Sequence, residues 1–105
     1  MTTDPAAFRI EVLLSFQRAL WDLVTPNLRA VAVRPTYPLI EARFMYEAVG
    51  QEEQLLTSEA GAYVIADFVP PVDIHFDAVA VPPPQSRELL AGEEWIYRRR
   101  EGQPE

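Results

Sequence analysis

The stretch VDIHFDAVAV (72–81) alternates with a period of two. Val72, Ile74, Phe76, Ala78 and Ala80 are apolar, and between them stand Asp73, His75 and Asp77, followed by Val79 and Val81. Successive side chains of a strand point to opposite faces, so this pattern describes a strand with one oily face and one wet face. Such a strand belongs in a sheet that is covered on one side and open on the other. The rest of the chain must therefore supply partner strands and a layer to cover the oily face.

That layer is legible in two helical patterns. The first spans about Pro5 to Val24, with Asp4 as N-cap and Pro5 at the first helical position. Phe8, Val12, Phe16, Ala19, Leu20 and Leu23 recur at helical spacing, and Pro26 disfavours helix in the residue before it. The second spans 51–69. Glu52 and Glu53 lie in its first turn, where the helix dipole favours acids. Leu56, Ala60, Tyr63, Val64 and Phe68 form its stripe. Gly61 inside this helix costs about 1 kcal/mol relative to Ala, which predicts a close packing contact there. Pro70-Pro71 ends the element.

Between the helices lie two strand patterns, 28–34 and 39–48. In the second, Ile40, Ala42, Phe44 and Tyr46 point one way, while Glu41, Arg43 and Glu47 point the other, with Met45 among them. They predict an antiparallel hairpin, and the two prolines of PTYP (35–38) argue against a tight two-residue turn. PPPQS (82–86) reads as a stiff, extended connection. Residues 93–100 supply a short last strand with Trp95 and Tyr97 on the same side. The order is α-β-β-α-β(-β). It defines an α+β two-layer sandwich: a mainly antiparallel sheet of three or four strands with two helices on one face. The step from 39–48 to 72–81 is expected to be a right-handed crossover. Residues 1–97 form a single domain in this reading, and 98–105 a basic and then disordered C-terminal tail.

Composition narrows the chemistry. The chain has 105 residues and a net charge of −7, and all nine of its basic residues are Arg. An acidic chain repels nucleic-acid phosphate, so nucleic acid is not an expected partner. With no cysteine, thiolate zinc sites, disulfides and cysteine nucleophiles are excluded. No apolar run approaches the roughly 20 residues that span a bilayer, and the N-terminus lacks a signal-peptide layout. A cytoplasmic location is the expectation.

Catalysis finds little support. Ser15, Ser58 and Ser86 show no nucleophile-elbow motif. One histidine would have to fill every acid–base role, and no phosphate loop is present. The reading is a non-enzyme without a cofactor. Asp67 is expected to pair with an arginine, for instance Arg29 or Arg34. Trp21 and Trp95, if both exposed, would mark an interface.

The candidate site is the wet face, comprising Glu41, Arg43, Glu47, Asp73, His75 and Asp77. Its plainest reading is a solvated surface. Its functional reading is a docking surface for a basic protein partner, with charges that speed association. Two further readings stay open. One is a structural or regulatory homo-oligomer, such as a homodimer that covers this face. The other is a small-molecule or metal binder using His75, although residues two apart on a strand rise about 7 Å, far for ligands of one ion.

At ALWDLVTPNLRAVAV (19–33) and AYVIADFV (62–69) the chain resembles a set of small bacterial proteins of no established activity. In them a helix running into TPNLRAV precedes a hairpin, and a helix ending in VIADF follows. The resemblance spans most of the first 80 residues and implies the fold more than the function. Some small acidic proteins of this size act as immunity or inhibitor proteins that neutralise bacterial toxins. By that analogy the partner is a basic toxin domain.

Overall fold

The computed structural model describes residues 4–102. Its elements are α1 (Pro5–Ala19), β1 (Leu28–Thr36), β2 (Leu39–Tyr46), α2 (Gln51–Ile65), β3 (Asp73–Ala80) and β4 (Glu94–Arg98). The strands form one sheet in the order β3-β2-β1-β4. β1 pairs antiparallel with β2 and with β4, and β2 pairs parallel with β3. Both helices pack on one face, so the two-layer α+β sandwich expected from the alternation is the architecture observed.

Asp4 caps α1, its side chain accepting a hydrogen bond from the Ala6 N–H at 3.1 Å, with Pro5 in the first turn. The helix ends earlier than Pro26 alone implies. Bonds from Trp21 N–H to Arg18 O and from Leu23 N–H to Leu20 O tighten the last turn, and Asp22 adopts φ 67°. Asp is among the few side chains that tolerate this left-handed region, which terminates helices. α2 likewise stops at Ile65, where Asp67 and Phe68 turn their N–H groups to carbonyls three residues back.

The hairpin corrects one expectation. Thr36 pairs with Leu39, so Tyr37 and Pro38 alone form the turn, joined by a cis peptide bond. The prolines tolerate it because neither is asked for a ladder donor. Pro38 lies in the turn, and Pro35 lies beyond Val33, where the pairing with β4 stops.

The inner face of the sheet carries Val31, Val33, Ile40, Ala42, Phe44 and Tyr46, all buried against Phe8, Val12 and Phe16 of α1 and Ala60 and Val64 of α2. From β3, Ile74, Phe76 and Ala78 join this core, so the alternation of residues 72–81 holds in three dimensions. Phe76 stacks on Phe16 at a centroid distance of 5.3 Å and lies 5.8 Å from Phe44. Gly61 is where α2 meets β3. A Cβ there would stand 2.9 Å from Ile74 Cδ1 and 3.5 Å from Phe76 Cδ2. The helix accepts a poor helix former at this turn because any Cβ would press on the Ile74 side chain, whose tip would have to move aside.

The outer face is not the open surface that the alternation suggested. Ala30, Ala32 and Met45 are completely buried there, with Val79, Val81 and Trp95 around them. The segment 81–93 closes the face. It leaves β3 at one margin of the sheet and crosses to β4 at the other. It is not a straight rod either, since Gln85 N–H bonds back to Pro82 O. Arg43 on β2 grips it with two hydrogen bonds to the Glu93 carboxylate, at 2.8 and 2.6 Å, and a third to Glu88 O. Arg34 on β1 donates to Ala91 O. Side-chain periodicity marks a face as polar, and cannot tell water above it from a chain whose carbonyls and carboxylates satisfy its arginines.

β4 departs from simple alternation as well. A register shift opposite Val31 and Ala32 inserts one residue. Trp95 therefore lies on the outer face beneath Arg98, while Ile96 and Tyr97 pack toward the inner core. Trp95 and Tyr97 do not share a side.

Two stability outcomes follow from this packing. Gly61→Val drives a branched side chain into Ile74 and Phe76 and is expected to cost about 2 kcal/mol or more, read as a lower urea midpoint. Glu93→Ala strands the Arg43 guanidinium under the crossing segment and is expected to cost about 3 kcal/mol. An unchanged midpoint in either variant contradicts the packing described.

Candidate partner-docking surface

β3 forms one margin of the sheet, and its register with β2 places each outer-face residue beside a defined neighbour. Asp73 lies beside Leu39, His75 beside Glu41, and Asp77 beside Arg43. Asp73, His75 and Asp77 are all exposed. His75 Nε2 lies 3.2 Å from Asp77 Oδ2, with the two side chains 66% and 53% exposed. Asp73 turns one oxygen back to the Ile74 N–H at 2.8 Å. This row is what the crossing segment leaves uncovered.

The other expected site residues are engaged inside the fold. Glu41 accepts a hydrogen bond from Arg34 at 3.2 Å and stays partly exposed next to the β3 row. Arg43 is committed to Glu93, which is only 4% exposed. Its hydrogen bonds hold the Glu93 carboxyl below the ordinary carboxylate range. Glu47 lies past the end of β2 and pairs with Arg99 at 2.7 Å. The six residues therefore divide: Asp73, His75, Asp77 and Glu41 form one acidic margin, while Arg43 and Glu47 tie peripheral chain to the sheet.

The tie at Glu47 belongs to a larger network that the sequence reading did not find. Its hub is Glu101, in the segment expected to be a tail. Glu101 accepts two hydrogen bonds from Arg29, at 2.8 and 2.9 Å, and two from Arg99. Arg87 lies 3.4 Å from it. Arg29 sits where β1 shifts register between Leu28 and Ala30, and its remaining N–H groups reach Val81 O and Gln85 O. Arg87 donates to the carbonyls of both Arg29 and Arg99. The chain is thus still part of the fold beyond the boundary expected at 97. Residues 103–105 of that expected tail lie outside the described residues. The arginine run 98–100 carried the only available signal: bidentate pairing favours Arg over Lys, and this chain uses Arg alone.

Asp67 also found other partners than those expected. It accepts from Ser15 Oγ at 2.7 Å and from Arg18 at 2.9 Å, which together lower its pKa, and it ties the end of α2 to α1. Ser15 and Arg18 lie three apart on α1 and so share a face. Trp21 is 70% exposed and Trp95 half-buried. Among the described residues no three His, Asp or Glu side chains gather closely enough to hold a metal ion. No helix among them is long and apolar enough to cross a membrane.

This is a small α+β protein with a charged strand margin and a sheet closed by its own chain. The sequence matches the family described as MafI2 immunity protein over residues 9–101. The chain belongs to that family, and the match ends at Glu101, the hub of the arginine network. No curated protein matches the sequence.

Hydrogen bonds from Arg29, joined by those from Arg99, hold the Glu101 carboxyl at a pKa of about 2, below its ordinary 4.5. The folded-state value is depressed, so this contribution is complete above about pH 4.5 and disappears as the pH falls toward 2. Glu101→Gln leaves the buried Arg29 without its carboxylate. It is expected to lower stability at pH 7 by about 3 kcal/mol and to flatten the loss of stability between pH 4.5 and 2, followed by urea unfolding across that range. A variant as stable as the parent at pH 7 contradicts the hub role.

Proposed function

We propose that this protein is a non-enzymatic immunity protein that neutralises a bacterial toxin by binding it, and that the toxin's basic surface docks along the β3 margin. Membership of the MafI2 immunity protein family carries this reading. The exposed acids of the margin support the mode. Asp73, Asp77 and Glu41 stand together around His75. Of the two arginines beside them in the register, Arg43 is neutralised by Glu93 and Arg34 pairs with Glu41 itself, which leaves Asp73 and Asp77 as the acids without an arginine among the described residues. The chain as a whole is acidic, so its field draws a basic partner in and the margin orients it.

A second reading has one observation in its favour. Ile10 and Leu14, one turn apart on α1, and Trp21 just beyond it are each more than half exposed. Such a stripe suits self-association through the helix layer rather than through the outer face, which the chain itself covers. Sedimentation equilibrium separates the two readings: a monomeric mass unchanged by Trp21→Glu removes the oligomer.

The docking reading is tested with a panel of purified bacterial toxin domains that spans basic to acidic isoelectric points. A basic member is expected to bind, with an association rate that falls steeply between low and physiological salt. Asp73→Asn/Asp77→Asn is expected to slow association several-fold and to leave thermal stability unchanged. A bound toxin whose association rate ignores both salt and the double substitution contradicts the acidic margin as the docking site.

A further inference from the structure

Beyond its side chains, the β3 margin offers backbone. Asp73 N–H bonds to Pro38 O at 2.9 Å and Val81 N–H to Tyr46 O at 2.8 Å. In a parallel ladder alternate residues serve one neighbour. The odd-numbered residues of β3 therefore bond to β2, and Ile74, Phe76, Ala78 and Ala80 turn their backbone groups away from it. The Ile74 N–H is taken by the Asp73 side chain. Those of Phe76, Ala78 and Ala80 have no backbone partner among the described residues.

Exposed edges invite pairing, and proteins blunt them with bulges, prolines, brevity or charged side chains. The two edges of this sheet differ in that respect. β4 has five residues and a register shift. β3 has eight residues, contains no proline, pairs with β2 without interruption and keeps its charges on the outer face. The β4 edge is protected by brevity and a register shift, whereas the β3 edge is guarded only by the acids of its outer face, which repel an acidic strand and admit a basic one.

We propose that β3 takes up an extended segment of its partner as a fifth strand, the segment alternating basic with apolar residues. This rests on the docking reading above and names how it is achieved. An added strand stands about 5 Å from β3, so its side chains on one face meet the row Asp73, His75 and Asp77. Arginine or lysine at alternate positions pairs with those acids. The intervening apolar residues lie over Ile74, Phe76 and Ala78, which the helices cover only in part. A second copy of this chain fits poorly, because its own β3 supplies acids where bases are required.

The probe is a capped eight-residue peptide alternating arginine and valine, set against a peptide of the same composition with the alternation broken. Both are titrated into the full chain at low salt with amide exchange followed by NMR. The alternating peptide is expected to slow exchange at Phe76, Ala78 and Ala80 and to bind at least about tenfold more tightly than its control. Ala78→Pro removes an outward N–H that β2 does not use. It is expected to weaken the alternating peptide at least about tenfold with little change in unfolding midpoint. Should that variant fold poorly, a peptide N-methylated on the residues facing β3 makes the same test on the unaltered protein, with the same loss expected.

Equal binding of the two peptides, protection elsewhere than β3, or full binding by both Ala78→Pro and the methylated peptide overturns the strand addition. If binding then still falls with Asp73→Asn/Asp77→Asn, the acidic margin survives as a landing surface and only this inference is lost. If none of these changes matters, the docking reading falls with it. A dimer of the unliganded chain that dissociates on Ala78→Pro assigns the edge to a second copy and also overturns the proposal.

Discussion

Arg29 and Arg43 hold the chain's longest connection against the sheet, and the shape of the molecule depends on that grip. A guanidinium presents several donors in a fixed plane, so one side chain can bind a carboxylate at two points and still reach a backbone carbonyl. Arg43 does this with Glu93 and Glu88, and Arg29 with Glu101, Val81 and Gln85. Without these contacts Ala30, Ala32 and Met45 would form an exposed apolar strip on the outer face. With them, the chain buries both faces at the centre of the sheet and leaves the charged row of β3 exposed on the outer face.

Much of the fold was legible because it rests on local rules. The alternation at 72–81 assigned Ile74 and Phe76 to the core. Asp4 and Pro5 marked the start of α1, and Gly61 marked a tight contact that proved to be with Ile74 and Phe76. Each of these signals acts within a few residues of its cause. The outer face was not legible because its burial depends on residues distant in sequence. Arg43 is 50 positions from Glu93, and Arg29 is 72 from Glu101. The sequence shows that these residues are charged and is silent about which charges meet. For the same reason the wet face looked two strands wide, whereas Arg43 and Glu47 are engaged within the fold and the exposed row is one strand with Glu41 at its side.

The division of labour among the charges joins structure to function. Arginines and their carboxylate partners sit where β1 begins and β4 ends, and serve the fold. The exposed acids sit along β3, where no arginine among the described residues engages them, and it is there that the proposed docking would take place. The proposed immunity role would require a protein that recognises one toxin quickly and is present in a stable form beforehand. The ion-paired outer layer fixes the long connection on the sheet, and the acidic row of β3 holds its charges at the fixed spacing of a strand. The family match reaches from α1 to Glu101 and so includes the network that closes the sheet as well as the margin it leaves open.

Hydroxyl-radical footprinting of the folded protein tests this account most directly. Met45 lies on the outer face, and methionine is among the side chains most readily oxidised. Closed over by the chain's own connection, at 1% exposure, Met45 is expected to stay unmodified while His75 on the adjacent strand is labelled. Oxidation of Met45 as fast as that of His75, in protein that is still folded, would mean that the outer face is open and that the proposed docking margin has been drawn in the wrong place.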